Sequence, residues 1–279
     1  MHQIDSAETS SIIDSSSASL LQELAEKRKK ATWFPWVIMA SLLALIGTAG
    51  FGPGWALPLA AVSCLGCCYW AAQQDLLRRT TVIIYELEED IAHGFQRLHE
   101  WAGHIAKCHR IWQIEAEGRV RDSKYHGGAG SLVERRVTSI GTAAPPLLKT
   151  NVATIALGVG RQTLYFLPDR ILVIEGTAIG AVDYRNLELT VQKTRFIEET
   201  SPADATIVGW TWRYVNKHGG PDRRFADNPQ LPICLYEELT LRSSTGLHEV
   251  IQMSREQGGA EGLVAAIDHL ADLLPVEQP

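Results

Sequence analysis

Between Ala31 and Ala72 the chain carries not one Asp, Glu, Lys or Arg. Charged residues make up 21% of the 279-residue sequence, so an ordinary stretch of that length would hold about nine. Exclusion of charge on this scale fits a segment that lies in hydrocarbon, because buried hairpins of soluble cores rarely achieve it. Two apolar runs share the stretch, Ala31 to Gly50 and Trp55 to Ala72. Each approaches the ~20 helical residues needed to cross a hydrocarbon layer of about 30 Å. Phe51-Gly52-Pro53-Gly54 separates them and reads as a turn, since Gly and Pro together do not continue a helix. Trp33, Phe34 and Trp36 open the first run, Phe51 and Trp55 flank the turn, and Tyr69 and Trp70 close the second, as in an interfacial aromatic belt. The expectation is a two-pass transmembrane helical hairpin over residues 31–72.

Lys27, Arg28, Lys29 and Lys30 precede the first run, Arg78 and Arg79 follow the second, and the turn is uncharged. By the positive-inside rule both termini are then cytoplasmic, with a multi-pass location in the cell (inner) membrane. The apolar run starts too late and is too long for a cleaved leader. Cys64, Cys67 and Cys68 fall inside the second run, where they read as packing residues rather than metal ligands. Cys108 and Cys234 stand alone, so the five cysteines form no disulfide framework and suit a reducing compartment. The net charge of −6 comes mostly from residues 256–279, which carry five acidic groups and no basic one. No region is basic enough for a nucleic-acid partner to be expected.

The Ser-rich residues 1–30 read as a tail ending in a short juxtamembrane helix from Leu20 to Lys30. Beyond the hairpin, Leu77, Ile84, Ile91, Leu98, Ile105 and Trp112 recur every seven residues, with Thr80, Leu87, Gly94, Trp101 and Cys108 at the companion positions. That pattern predicts a long heptad helix over 73–118, and its seam needs a cover. Self-association as a homo-oligomer through Leu77, Ile84, Leu87, Ile91, Leu98, Trp101, Ile105 and Trp112 is one solution. The other is a break near Gly94 or Gly103, with the pieces folded onto the C-terminal domain. Arg97 and His104 have the R-x6-H spacing that resembles the motif of HEPN ribonucleases, but no all-helical bundle accompanies it. The histidines from His93 to His126 are accordingly read as surface or seam-flanking residues.

Residues 119–146 read as a linker, with His126-Gly127-Gly128-Ala129-Gly130, a short helix around Leu132 to Val137, and Ala143-Ala144-Pro145-Pro146. From residue 147 the periodicity turns strand-like. Short β-branched and aromatic runs follow at 152–157, 162–167, 170–175, 178–183, 186–192, 206–216, 233–243 and 247–254. Pro168-Asp169 and Ser243-Ser244-Thr245-Gly246 mark hairpin turns. An amphipathic helix over Gly259 to Leu274 ends the series. The predicted fold class is α+β: hairpin, heptad helix, and a C-terminal antiparallel β barrel over 147–279 closed by a helix.

Two stretches carry a resemblance. Gln162-Thr163-Leu164-Tyr165-Phe166-Leu167-Pro168-Asp169-Arg170-Ile171-Leu172-Val173-Ile174 and Val182-Asp183-Tyr184-Arg185-Asn186-Leu187 resemble the strand-turn-strand and later signature of bacterial PH-like and GRAM-like domains. That resemblance implies a non-catalytic module that binds a lipid headgroup or a protein partner, here on a two-helix anchor. The strand-turn region lacks the Lys and Arg cluster of phosphoinositide binders.

The segment from Trp210 to Asn228 is the most distinctive of the domain. Arg213, Lys217, Arg223 and Arg224 lie within it beside Trp210, Trp212, Tyr214 and Phe225. Strand alternation turns Trp210, Trp212 and Tyr214 toward the core and leaves the Gly219-Gly220-Pro221-Asp222 loop to display the arginines. The four cations form a candidate site for an anion or an acidic partner; alternatively the loop acids pair with them. No Gly-rich phosphate loop, G-x-S-x-G elbow or HExxH motif is present, so neither catalysis nor a cofactor is expected. The function expected is a membrane-tethered interaction module for a protein or lipid at the cytoplasmic face. The alternative is an oligomeric, channel-like membrane effector whose β domain senses a signal.

Overall fold

The computed structural model describes residues 2–4, 6–12, 21, 24, 26–27, 31–119, 131–146 and 148–275. Two compact units divide the chain. One holds Met1–Leu21, Glu86–Ala144 and Ala153–Pro279; the other holds Gln22–Tyr85 and Pro145–Val152.

In the smaller unit, α1 (Phe34–Phe51) begins with Pro35 in its first turn and stops at Gly52-Pro53. Its partner α2 (Ala56–Arg79) lies alongside, with Ser41 Oγ 3.6 Å from Cys68 Sγ. The opening N–H groups of α1 have no partner of their own within the helix. Asp75 of α2 supplies one, its Oδ2 accepting the N–H groups of Trp33 and Phe34 at 2.7 and 2.8 Å. Arg78 places its guanidinium over the Trp33 ring, 4.2 Å from the centroid. Large apolar side chains on both helices are exposed, among them Trp36, Leu43 and Ile46 on α1 and Val62, Leu65 and Tyr69 on α2.

The two-pass hairpin is corrected here. Among the described residues α2 is the one helix long and apolar enough to cross a membrane, whereas α1 offers a shorter apolar helix, Phe34–Gly50. At 1.5 Å per residue that helix reaches only about 26 Å, short of a hydrocarbon core of about 30 Å. The multi-pass location with both termini in the cytoplasm falls with it, because that orientation needs an even number of crossings. Of the basic flank, Arg28, Lys29 and Lys30 lie outside the described residues, as does most of the expected juxtamembrane helix.

The long heptad helix is also corrected. Thr80-Thr81-Val82-Ile83-Ile84-Tyr85 is a β-rich run, and it ends α2 at Arg79. Its first part forms β2 (Thr81–Ile83), which pairs in parallel with β6 (Leu148–Thr150). A new helix, α3, runs from Glu89 to Ala106, and the chain then enters β3 (Ile111–Arg119). The proposed seam is thus spread over three kinds of structure. Leu77 is exposed near the end of α2, Ile84 is exposed and Leu87 half-buried between elements, and Ile91, Leu98, Trp101 and Ile105 lie on α3. Trp112 belongs to β3. Leu98 and Ile105 are buried within the larger unit, so they offer no surface to a second chain.

The larger unit holds two open antiparallel sheets rather than a closed barrel. In the smaller sheet, β5 (Ile140–Thr142), β7 (Ile155–Val159), β8 (Gln162–Phe166), β9 (Arg170–Glu175) and β10 (Ala178–Asp183) run in the order β10-β9-β8-β7-β5. The larger sheet runs β1-β3-β14-β13-β11, with β4 beside β3 and β12 beside β13. Its further members are β1 (His2–Gln3), β4 (Ser131–Val137), β11 (Leu187–Ile197), β12 (Thr206–Trp212), β13 (Gln230–Ser243) and β14 (His248–Met253). β11 and β13 pair from Leu187↔Ser243 to Ile197↔Ile233. Recruitment of β3 and β4 extends this sheet instead of leaving an edge to close upon β5. The segment read as a short helix around Leu132 is the strand β4, and the Gly-rich stretch 126–130 lies outside the described residues.

A final helix, α4 (Gly259–Leu273), buries Leu263, Ile267 and Leu270. It meets α3 at two glycines: a β-carbon on Gly94 would lie 2.9 Å from Leu270 Cδ2, and one on Gly262 would overlap Trp101. Glu237 of β13 caps its start, accepting the N–H groups of Gly258 and Ala260 at 2.6 and 3.0 Å. Arg185 caps its end, donating to the carbonyls of Ala271 and Pro275 at 3.0 and 2.9 Å.

Candidate functional site

The hairpin between β12 and β13 holds the four predicted cations. Pairing runs from Thr206↔Leu235 to Trp212↔Gln230, with an irregularity between Ile207 and Gly209 that leaves Val208 as an extra residue. Beyond Trp212, Asn228 fastens the two arms: its Oδ1 accepts the Tyr214 N–H and its Nδ2 donates to the Tyr214 carbonyl, at 2.9 and 2.8 Å. The rings of Tyr214 and Phe225 stack at 4.0 Å. At the tip, Asn216 Oδ1 accepts from the N–H groups of His218 and Gly220, and Gly219 turns at φ +80°. The loop is therefore built, not slack.

The four cations do not converge on one anion. Arg224 grips Asp222 with two parallel bonds, Nε to Oδ1 at 3.0 Å and Nη2 to Oδ2 at 2.6 Å. Asp222 is buried and also accepts the Arg224 N–H, so this pair shapes the loop. Arg213 reaches Glu199 at 2.8 Å on the segment that leads into β12. Lys217 and Arg223 have no ion pair among the described residues. The aromatic assignment changes as well. Trp210 is 59% exposed, and Trp212 and Tyr214 are only half-buried, so this face is not core. Ile207 and Val208 are exposed beside it, since the irregularity at Val208 breaks the inward-outward alternation.

A second cluster escaped the sequence reading. Arg135 on β4 lies between the rings of Trp112 and Phe196, 4.3 and 3.9 Å from their centroids. Its Nη1 and Nη2 donate to the two oxygens of Glu198 at 2.9 and 3.2 Å, and Nη1 also reaches Gln252 Oε1 at 3.3 Å. Glu198 accepts in addition from the hydroxyl of buried Tyr236 at 2.8 Å. Burial and the Glu198 carboxylate hold the Tyr236 phenol well above its ordinary pKa. With its ions mutually satisfied, the cluster braces β4, β11, β13 and β14 and presents no open group to a substrate.

Comparison gave no match to any family model, curated protein or solved structure. Among the described residues no group of three or more His, Cys, Asp or Glu side chains is placed to hold a metal ion. All five cysteines are free thiols. Burial pushes the Cys108 and Cys234 thiols up, away from the reactive thiolate. The hairpin differs from these closed clusters in that it exposes an indole, two aliphatic side chains and two cations that have no ion pair among the described residues.

Proposed function

We propose that this protein is a non-catalytic interaction module, attached to a membrane by α2, that binds an acidic segment of a partner protein on the β12–β13 hairpin. The observation that carries this reading is the exposure of Ile207, Val208 and Trp210 on β12, together with two cations in the following loop, Lys217 and Arg223, that have no ion pair among the described residues. Exposed Trp and Arg are the side chains from which interface hot spots are most often built. The rigid loop lowers the entropy lost on binding. The likeness of Gln162–Ile174 and Val182–Leu187 to PH-like and GRAM-like modules agrees with a binding role, and the charge-free stretch from Ala31 to Ala72 agrees with membrane attachment.

A photo-crosslinking residue at position 210 of the full chain in native membranes tests the reading. The expected result is a discrete protein adduct that weakens with salt and is lost in Lys217→Ala/Arg223→Ala, while the circular dichroism of that variant is unchanged. Adducts to lipid alone, or a protein adduct indifferent to both substitutions, would overturn it.

A further inference from the structure

Residues 2–4 and 6–12, within the stretch read from sequence as a tail, are packed into the larger unit. Its strand pairing is slight. β1 matches only His2↔Glu117 and Gln3↔Ala116, followed by one bond from Ile4 N–H to the Glu115 carbonyl at 2.9 Å. The rest is held by three residues spaced three apart, together with a backbone bond from the Ala7 N–H to the Gly246 carbonyl at 2.8 Å. Ser6 Oγ donates to Glu249 Oε1 at 2.6 Å and accepts the His248 N–H at 2.9 Å. Thr9 Oγ1 donates to Glu175 Oε2 at 3.0 Å and accepts from Gln162 Nε2 at 2.9 Å. Ile12 is fully buried, and its carbonyl accepts the Ala181 N–H at 2.9 Å.

The bed on which the segment rests is shaped by missing side chains. A β-carbon on Gly180 would lie 2.6 Å from the Ile12 carbonyl oxygen and 2.7 Å from that of Thr9. At Gly246, whose φ of +105° favours glycine, a β-carbon would come within 2.6 Å of the Ala7 side chain. Both sheets contribute: Gln162, Glu175 and Gly180 from the smaller, Glu249 from the larger. To the larger sheet the segment adds only the two pairs at Ala116 and Glu117, beyond the part of β3 that β14 covers, and in the smaller sheet β10 already pairs with β9. The bed also keeps spare acceptors, since Gln113 Oε1 and Gln162 Oε1 are buried without a hydrogen-bond partner.

We infer that this cleft is a peptide-binding site for segments of the form Ser-x-x-Thr-x-x-Ile, and that the chain's own Ser6, Thr9 and Ile12 are its resident, exchangeable ligand. The hydroxyls are selected by paired donors and acceptors that an aliphatic residue would leave unmet. The glycines admit a backbone closer than any side chain would allow. The aliphatic residue fills the apolar end. This site is separate from the β12–β13 hairpin and does not depend on its function.

A specific protease site inserted between Ile12 and Leu21 of the full chain allows the body to fold before the segment is cut. After cleavage the released segment is expected to stay bound, and fluorescently labelled Met1–Ile12 peptide to replace it in cut but not in uncut protein, with the near-UV circular dichroism of the body retained. Peptides with Ser6→Ala or Thr9→Val should compete at least tenfold more weakly. Loss of the body's near-UV signal on cutting would show the segment to be an integral part of the fold and overturn the proposal. So would failure of the labelled peptide to enter, or equal competition by the substituted peptides.

Discussion

The indole of Trp101 sits on Gly262 so closely that a β-carbon there would lie 2.2 Å from Trp101 Cδ2. The α3–α4 crossing is set by that contact, and no methyl group fits without moving the helices apart. Gly262→Ala should therefore destabilise the larger unit by about 1–3 kcal/mol, the range typical of overpacking. Urea denaturation followed by fluorescence measures it. Trp101→Leu in the same chain should recover part of the loss, and an unchanged midpoint in Gly262→Ala would show that the crossing is slack.

Glu237 is almost wholly buried and spends both oxygens on the first N–H groups of α4. Glu237→Ala leaves those donors without a partner, and a loss of about 2 kcal/mol is expected. Hydrogen exchange should report faster exchange at Gly258 and Ala260 than in the parent, while amides in the middle of β13 keep their protection.

The raised pKa of Tyr236 fixes the sign of a pH effect. The unfolded chain loses the phenolic proton near pH 10, whereas the folded chain holds it to higher pH. The contribution of this group is complete below about pH 10 and is lost as pH rises beyond it. Alkaline titration followed at the tyrosinate absorbance should show one of the seven tyrosines ionising only with unfolding. In Tyr236→Phe that late step should vanish, and the fall of stability above pH 10 should become shallower.

Cys234 is fully buried beside Tyr236 and Trp112, and burial also raises its thiol pKa. A maleimide applied to the native protein should leave it unmodified, with labelling only in denaturant, as read by mass spectrometry of the peptide. Rapid native labelling would mean that the Arg135 cluster opens readily.

What the sequence made legible follows from the range of each signal. The strands between residues 152 and 254 announce themselves by alternation and by local turn chemistry. Phe166 pairs with Ile171 around Pro168-Asp169, as those two residues suggest. The seven-residue recurrence from Leu77 to Trp112 is regular, yet it crosses a β-branched run at Thr80–Ile84 that outweighs it, and Trp112 falls into register from within a strand. The Arg135 cluster could not be read locally. Its partners Glu198 and Gln252 are 63 and 117 positions away, and nothing near Arg135 in sequence identifies them. Ser6 and Thr9 look like tail residues for the same reason, because their partners Glu249 and Gln162 lie 243 and 153 positions along the chain. In the hairpin, composition indicated a cationic loop, but only the geometry separates Arg224, committed to Asp222, from Arg223, which is not.

The two caps of α4 also impose an order on folding. A helix of 15 residues is marginal in water by itself, and both its terminal partners, Glu237 and Arg185, belong to segments that precede it in the chain. During synthesis those segments emerge first. Glu237 and Arg185 are therefore already in the chain when α4 is made, and a helix capped at both ends by earlier segments gains its full stability only once those segments lie beside it.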